Sequence, residues 1–337
     1  MAKKITIAAL VILLVLGIAG CGSAEPLQTE TNLPETAAAT ATPAATEPSP
    51  TPEPTSVSTP AAPSGELMDV PAGEAGIAKY HDFEYEGTNR TYMLYIPEGV
   101  REDAPLVFVL HGYLDFASNF MNTTGMNAVA KKEGFGVVYP QGLPSQSSEF
   151  PGTHWNADFT FSDVDDVGFL TSLAAYLQED YGFSSSNTFA CGLSNGGFMC
   201  YTLAVRAPGV FRAIASVAGT MSLGTWNGRD ESAAVPVLQI HGTTDTTVPL
   251  DGTMTLDGGW GGAPPMDEII QYWAERDGAG TMTEETTGNI TARVYSNGEG
   301  DWIWFYLIEG FGHRWPDASS GMNTSELIWQ FFSSYIE

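Results

Sequence analysis

Residues 190–200 read ACGLSNGGFMC, and the positions from Gly192 to Gly196 form a G-x-S-x-G pattern centred on Ser194. Where such a pattern is a nucleophile elbow, the serine sits on a strained strand-to-helix turn with its hydroxyl exposed above a sheet. Plain glycine turns also spell these letters, so the flanks decide the reading. Asn187–Cys191 is a short apolar run of strand type, and Phe198–Ala207 is a helical run stopped by Pro208. Strand, glycine turn and helix in that order make Ser194 a candidate nucleophile.

The same alternation extends outward from the motif. Residues 91–96 (TYMLYI), 105–110 (PLVFVL) and 136–139 (GVVY) read as strands, the second apolar throughout as in a strand covered on both faces. Residues 127–133 read as a helix, and a long polar loop is expected from Pro140 to about residue 162. Residues 165–181 place Val167, Leu170, Leu173, Ala174 and Leu177 at spacings of three and four, with Asp165 and Asp166 at the positive end of the helix dipole. Strands follow at 213–218, 236–240, 291–295 and 302–308, and helices at 266–276 and 324–336. Alternation of this kind predicts an α/β fold: a mostly parallel sheet with helices on both faces and functional residues just after strands.

The N-terminal segment is of a different kind. Lys3 and Lys4 precede an apolar run from Ile5 to Ile18, and Cys21 follows Ile18-Ala19-Gly20. At about fourteen residues the run is short for a bilayer span and suits a secretory signal. The segment resembles a bacterial lipoprotein signal, which implies cleavage before Cys21 and its lipidation. We therefore expect a signal peptide at 1–21, a stalk at 22–66 rich in Thr, Pro and Ala that lacks the apolar residues to offset its ordering entropy, and a folded domain at 67–337. The expected location is extracellular, anchored to the bacterial membrane, as a monomer.

Forty acidic residues against thirteen basic ones give a formal charge of −27, which disfavours nucleic acid or an anionic lipid surface as partner. Cys191 and Cys200 are read as buried thiols in preference to a disulfide.

A serine hydroxyl needs a base, and the base needs a carboxylate. Of five histidines, His81 lies in a polar segment ahead of the sheet, His111 opens a loop after PLVFVL, His154 is in the long loop and His241 abuts a strand end. Only His313, in GFGHRWP, follows the last strand and precedes the last helix, which fits the chain order Ser, acid, His. Between them, VPVLQIHGTTDTTVP places Asp245 directly after a strand, whereas Asp251 and Asp301 read as turn residues beside glycine. An oxyanion needs two N–H donors. The candidates are the amide of Asn195, after the serine, and that of Tyr113 in HGYLD, with Leu114 second.

The ordered set HGYLDF, YPQG, DVDDVGFL, CGLSNGGFMCYTLA, HGTTDTTVP, GWGGAPP and GFGHRWP resembles the secreted family that contains feruloyl and acetylxylan esterases and the related polyhydroxybutyrate depolymerases. The resemblance runs from about residue 92 to the C-terminus. It implies an α/β-hydrolase fold, no cofactor, a triad of Ser194, Asp245 and His313, and a carboxylic ester as substrate. Relatives often carry a small residue after the His-Gly pair, where this chain has Tyr113. Feruloyl or acetyl esters on plant cell-wall polysaccharide are the expected substrates, with hydroxyalkanoate oligomers the alternative. A non-catalytic, carbohydrate-binding surface lipoprotein is the reading of a different class.

Trp155, Trp260 and Trp315 fall in expected loops, where they either stack on substrate or pack the rim. The acidic run Asp158, Asp163, Asp165 and Asp166 lacks the glycine and terminal glutamate of a calcium loop and reads as a helix start, so no metal is expected.

Overall fold

The structure, a computed structural model, describes residues 66–145, 151–229, 234–254 and 260–337. The expected signal peptide, the expected lipidation site at Cys21 and the expected stalk lie outside the described residues, apart from Glu66.

Twelve strands and seven helices are described. In chain order they are β1 (Lys79–Tyr85), β2 (Thr88–Tyr95), β3 (Leu106–Leu110), α1 (Ala117–Thr124), α2 (Met126–Glu133), β4 (Gly136–Pro140), β5 (Leu143–Pro144), β6 (Thr153–His154), α3 (Asp166–Tyr181), β7 (Thr188–Leu193) and α4 (Asn195–Arg206). There follow β8 (Ile214–Val217), α5 (Leu223–Asn227), β9 (Val237–Gly242), α6 (Met266–Arg276), β10 (Thr281–Thr287), β11 (Ile290–Ser296), β12 (Asp301–Ile308) and α7 (Thr324–Ser333).

Ten strands form one sheet in the order β1-β2-β4-β3-β7-β8-β9-β12-β11-β10. The six central strands, β4 to β12 in that order, run parallel, and the two at each edge pair antiparallel. Along β3 the side chains alternate between two cores: Leu106, Phe108 and Leu110 face the layer containing α3, α4 and α6, and Val107 and Val109 the layer containing α1, α2 and α7. A strand covered on both faces has no solvent side to carry polar residues, which is why LVFVL is apolar throughout.

Several expectations need correction. His81 does not precede the sheet but lies within edge strand β1, whose alternating burial (KYHDFEY) was masked by its polarity. The expected polar loop contains the hairpin β5–β6, which pairs Leu143 with His154. Helix α4 begins at Asn195, directly after the serine, three residues earlier than expected. Strand β10 (TMTEETT) is exposed along its whole length and has no burial pattern to read. The reading of Cys191 and Cys200 as buried thiols holds: both are buried and free.

Candidate active site

The turn at Ser194 is built by close approach. Ser194 holds φ 53°, ψ −120°, a strained left-handed conformation for a residue with a side chain. Its N–H donates to the Val217 carbonyl at 2.8 Å and its carbonyl accepts the Phe198 N–H at 2.9 Å, so β8 and α4 hold the strain from both sides. The flanking glycines are obligatory. A Cβ on Gly192 would lie 2.4 Å from the Gly196 carbonyl carbon, and one on Gly196 would lie 2.1 Å from the Leu110 oxygen. The G-x-S-x-G spacing is thus the spacing at which strand, turn and helix cross without side chains between them.

The structure brings the three distant residues together. The Asp245 Oδ2–His313 Nδ1 distance is 2.7 Å and the His313 Nε2–Ser194 Oγ distance 2.8 Å. Ser194 directly follows β7, Asp245 follows β9 and His313 follows β12, all at the carboxyl ends of parallel strands. Two threonines stitch the acid loop to the histidine loop: the Thr243 N–H donates to the Ile308 carbonyl, and the Thr244 N–H and hydroxyl both donate to the Phe311 carbonyl.

The Asp245 carboxylate is buried and fully occupied. Its Oδ1 accepts the N–H groups of Thr247 and Val248, both at 2.9 Å, and its Oδ2 faces His313 and, at 3.4 Å, His241 Nε2. Burial alone pushes this carboxyl up, but the hydrogen bonds from His241, His313 and Val248 outweigh it and hold the group well below the usual carboxylate range. An ionised Asp245 can only accept, so the His313 proton resides on Nδ1, and Nε2 is left to accept from the serine hydroxyl.

His241 is a contact the sequence did not single out. Gln239 donates through Nε2 to the Gly219 carbonyl, which fixes its amide orientation, and the same nitrogen faces His241 Nδ1 at 3.0 Å. The His241 proton therefore sits on Nε2, which donates to the Val248 carbonyl at 2.8 Å and also faces Asp245.

Of the oxyanion candidates, the Asn195 N–H is at the first turn of α4, where an amide has no partner within its helix. The Leu114 N–H donates to the Thr153 carbonyl at 2.9 Å and is spent, which leaves Tyr113 as the loop's candidate. Tyr113 lines the same cleft as Ser194 and His313, about 390 Å³ in volume, with Phe198, Thr247, Val248, Met254 and Trp260.

The three tryptophans separate. Trp260 lines this cleft and packs edge-on against Tyr113, with ring centres 5.4 Å apart. Trp155 is 0% exposed; its indole N–H donates to the His111 carbonyl, so it is corrected from a substrate contact to a buried support. Trp315, 7% exposed, packs edge-on against Phe120 in the core beneath α1 and is corrected likewise. Closeness in sequence to His313 misled here, because the Trp315 ring turns into the core against Phe120. A second cleft, about 320 Å³, lies among Arg212, Trp302, Trp304 and Tyr335 at the other end of the sheet, and contains no nucleophile and base in contact.

The acidic run has separate tasks. Asp165 caps α3 by accepting the Gly168 N–H, Asp158 pairs with Arg206, and Asp166 pairs with Arg90 at 2.6 Å. Among the described residues no group of three or more His, Cys, Asp or Glu side chains is arranged to hold a metal ion.

His111 supports the candidate oxyanion loop and is buried there as a neutral ring. Burial lowers its pKa from 6.5 to about 4, only partly offset by its hydrogen bond to Gly112. Between these values the unfolded chain binds a proton that the folded one does not, so folding stability rises with pH through this window and is lost as pH falls. The contribution is on the order of 3 kcal/mol. Urea unfolding at pH 4.5 and 7 checks it: the wild-type protein should lose stability toward acid more steeply than His111→Asn, and parallel profiles would refute the assignment.

The sequence model of the family described as esterase PHB depolymerase matches residues 90–257. Feruloyl esterase C of Emericella nidulans is 30% identical over 177 residues, which is 50% of this chain and 59% of that protein. Poly(3-hydroxyalkanoate) depolymerase C of Paucimonas lemoignei is 25% identical over 268 residues, 68% of this chain and again 59% of the relative. The chain thus spans less than two thirds of the length of either. Among solved structures, the acetyl xylan esterase from Aspergillus awamori superimposes with a TM-score of 0.57 at 16% identity, covering 77% of this chain and 100% of that one. Fold, family match and relatives agree: the chain has the α/β-hydrolase fold, and its residues 90–257 belong to the esterase PHB depolymerase family, whose matched relatives are esterases.

Proposed function

We propose that the protein is an exported serine esterase in which Ser194, His313 and Asp245 form the catalytic triad. The observation that carries this reading is the unbroken chain Asp245–His313–Ser194, with contacts of 2.7 and 2.8 Å across residues 68 and 119 positions apart. Ser194 Oγ attacks the ester carbonyl carbon while its proton passes to His313 Nε2, and the negative charge of the tetrahedral intermediate falls on the carbonyl oxygen. The N–H groups of Asn195 and Tyr113 hold that oxygen. Collapse breaks the bond to the alcohol, which leaves with the proton from His313. Water then attacks the acyl-serine by the same route in reverse order of partners, releasing the acid. Asp245 stays ionised throughout and stabilises the imidazolium.

The substrates are feruloyl or acetyl esters on plant cell-wall polysaccharide. Three things support this: the cleft walls are mostly apolar and aromatic, with Tyr113, Phe198, Met254 and Trp260; a related feruloyl esterase matches half of the chain; and the acetyl xylan esterase shares the fold. Hydroxyalkanoate oligomers are the second reading, favoured by the depolymerase relative. The N-terminal sequence supports export and anchoring through a lipid on Cys21, with the 22–66 segment as a spacer from the membrane.

A fluorophosphonate probe, with mass spectrometry to locate the adduct, tests the nucleophile, and hydrolysis of methyl ferulate, acetylated xylan and hydroxybutyrate oligomers tests the substrate. Labelling of Ser194 with turnover of the first two is expected. A folded protein left unlabelled would overturn the enzymatic reading in favour of glycan capture.

A further inference from the structure

One hydrogen-bonded chain lies behind the two proposed oxyanion donors. It begins at Asn195, whose main-chain N–H is the first donor. The Asn195 carboxamide is fully buried and grips the main chain of Trp155 in both directions: Oδ1 accepts the Trp155 N–H at 2.7 Å, and Nδ2 donates to the Trp155 carbonyl at 2.9 Å. An aspartate there would supply the first bond and repel the carbonyl in the second. The Trp155 indole N–H donates in turn to the His111 carbonyl at 3.0 Å.

The His111 ring continues the chain. It accepts the Gly142 N–H on Nε2 at 3.0 Å, which places its own proton on Nδ1, and Nδ1 donates to the Gly112 carbonyl at 2.7 Å. That carbonyl shares a planar trans peptide unit with the Tyr113 N–H, and in such a unit C=O and N–H point in opposite directions. A proton donor on the oxygen therefore fixes where the Tyr113 N–H is aimed. The loop stands next to the nucleophile, since the Cβ position of Gly112 is 3.7 Å from the Ser194 Cβ.

We propose that the Asn195 carboxamide, acting through Trp155 and His111, positions the Tyr113 N–H, so that one residue donates the first oxyanion hydrogen bond and aims the second. The proposal rests on the oxyanion assignment above. Asn195, Trp155 and His111 are all buried, and their hydrogen bonds converge on one peptide unit beside Ser194. The side chains of Asn195, Trp155 and His111 are positioning groups in this scheme; none of them takes part in bond making.

The test uses Trp155→Phe, which removes the indole N–H with the pyrrole half of the ring but keeps an aromatic side chain in the core, and Asn195→Ala, which keeps its own main-chain N–H. Kinetics are read with p-nitrophenyl acetate and inhibition with phenylboronic acid, whose boron bonds to the serine Oγ and places an oxygen where the oxyanion forms. We expect kcat to fall roughly 10- to 100-fold, less than the loss of a whole donor, with KM within about twofold. The boronate affinity should weaken by the same factor as kcat/KM. In the double variant the losses should not multiply, because both cuts are in one chain.

Folded Trp155→Phe with kcat and boronate affinity within about twofold of the wild-type values would overturn the proposal. So would a fall in kcat with boronate affinity unchanged, or losses that multiply. Should Asn195→Ala fail to fold, Trp155→Phe decides alone. Failure of the esterase reading itself looks different: the wild-type protein would neither turn over ester nor take up the fluorophosphonate.

Discussion

Ser194→Ala is expected to lower kcat on p-nitrophenyl acetate by roughly 10⁴- to 10⁶-fold, and to leave the melting temperature within about 2 °C of the wild-type value. The loss of rate reflects the role: without Oγ there is no acyl-enzyme, and only water attack helped by the oxyanion donors survives. The unchanged stability reflects the contacts of the hydroxyl. Its partner is His313 Nε2, on a ring that is 21% exposed and can accept from water instead. The backbone strain at φ 53° is the same for alanine as for serine. Stopped assays on the purified variant and a thermal melt decide it together. Activity retained within tenfold would remove Ser194 from the chemistry, and a collapse in melting temperature would mean that the serine is structural.

Removing the carboxylate at Asp166 is expected to be the most destabilising of the single changes considered, at about 3–5 kcal/mol. Asp166 and Arg90 are 1% and 2% exposed and meet at 2.6 Å, far from any solvent that could take over from either. In Asp166→Ala the guanidinium remains charged, because arginine cannot shed its proton at accessible pH. Among the described residues it would keep the face of Phe169, 3.8 Å from its central carbon, and a long contact to the Gln141 carbonyl. The change also frees the Asn156 N–H, which Asp166 Oδ2 accepts at 2.7 Å, next to Trp155 behind the proposed oxyanion loop. Urea unfolding measures the loss. Adding Arg90→Met should recover much of it, since the penalty comes from the stranded charge more than from the missing bond. A loss under 1 kcal/mol for Asp166→Ala would show that water reaches the arginine.

Much of the fold is legible in the sequence because local periodicity reports burial directly. Strands β3 and β4 are apolar runs and β7 and β9 are largely so, as strands covered on both faces are, and α3 and α6 show their core stripes at spacings of three and four. The elements that escaped did so for physical reasons. Strand β10 is held by its ladder to β11 alone and buries nothing, so no apolar pattern marks it. Helix α1 (ASNFMNTT) buries only Ala117, Phe120 and Thr124, too few to distinguish it from a loop. Edge strand β1 alternates correctly, but its exposed face is charged and its inward face is only half-buried.

The candidate site divides the same way. Ser194, Asp245 and His313 could be named from the sequence because each comes at or just after a strand end, and parallel strands bring their carboxyl ends to one edge of the sheet. Which atoms meet is another matter. Trp155 and Trp260 are equally aromatic and equally placed in loops, yet one is a buried support and the other lines the cleft. His111, His241 and Gln239 carry no periodicity, and their tautomers and orientations are set only by the carbonyl or amide that stands opposite.

The sequence by itself determined the layered α/β architecture, the strained turn at Ser194 and the chain order of the candidate residues, since these depend on neighbours a few positions apart along the chain. Only the tertiary structure decided the contacts of 2.7 and 2.8 Å that link Asp245, His313 and Ser194, the burial of Trp155, and the direction in which His111 aims the Gly112–Tyr113 peptide. Those depend on strand order and register, through which residues 40 to 119 positions apart become neighbours, and hydrogen bonds are sensitive to tenths of an ångström that no local pattern encodes.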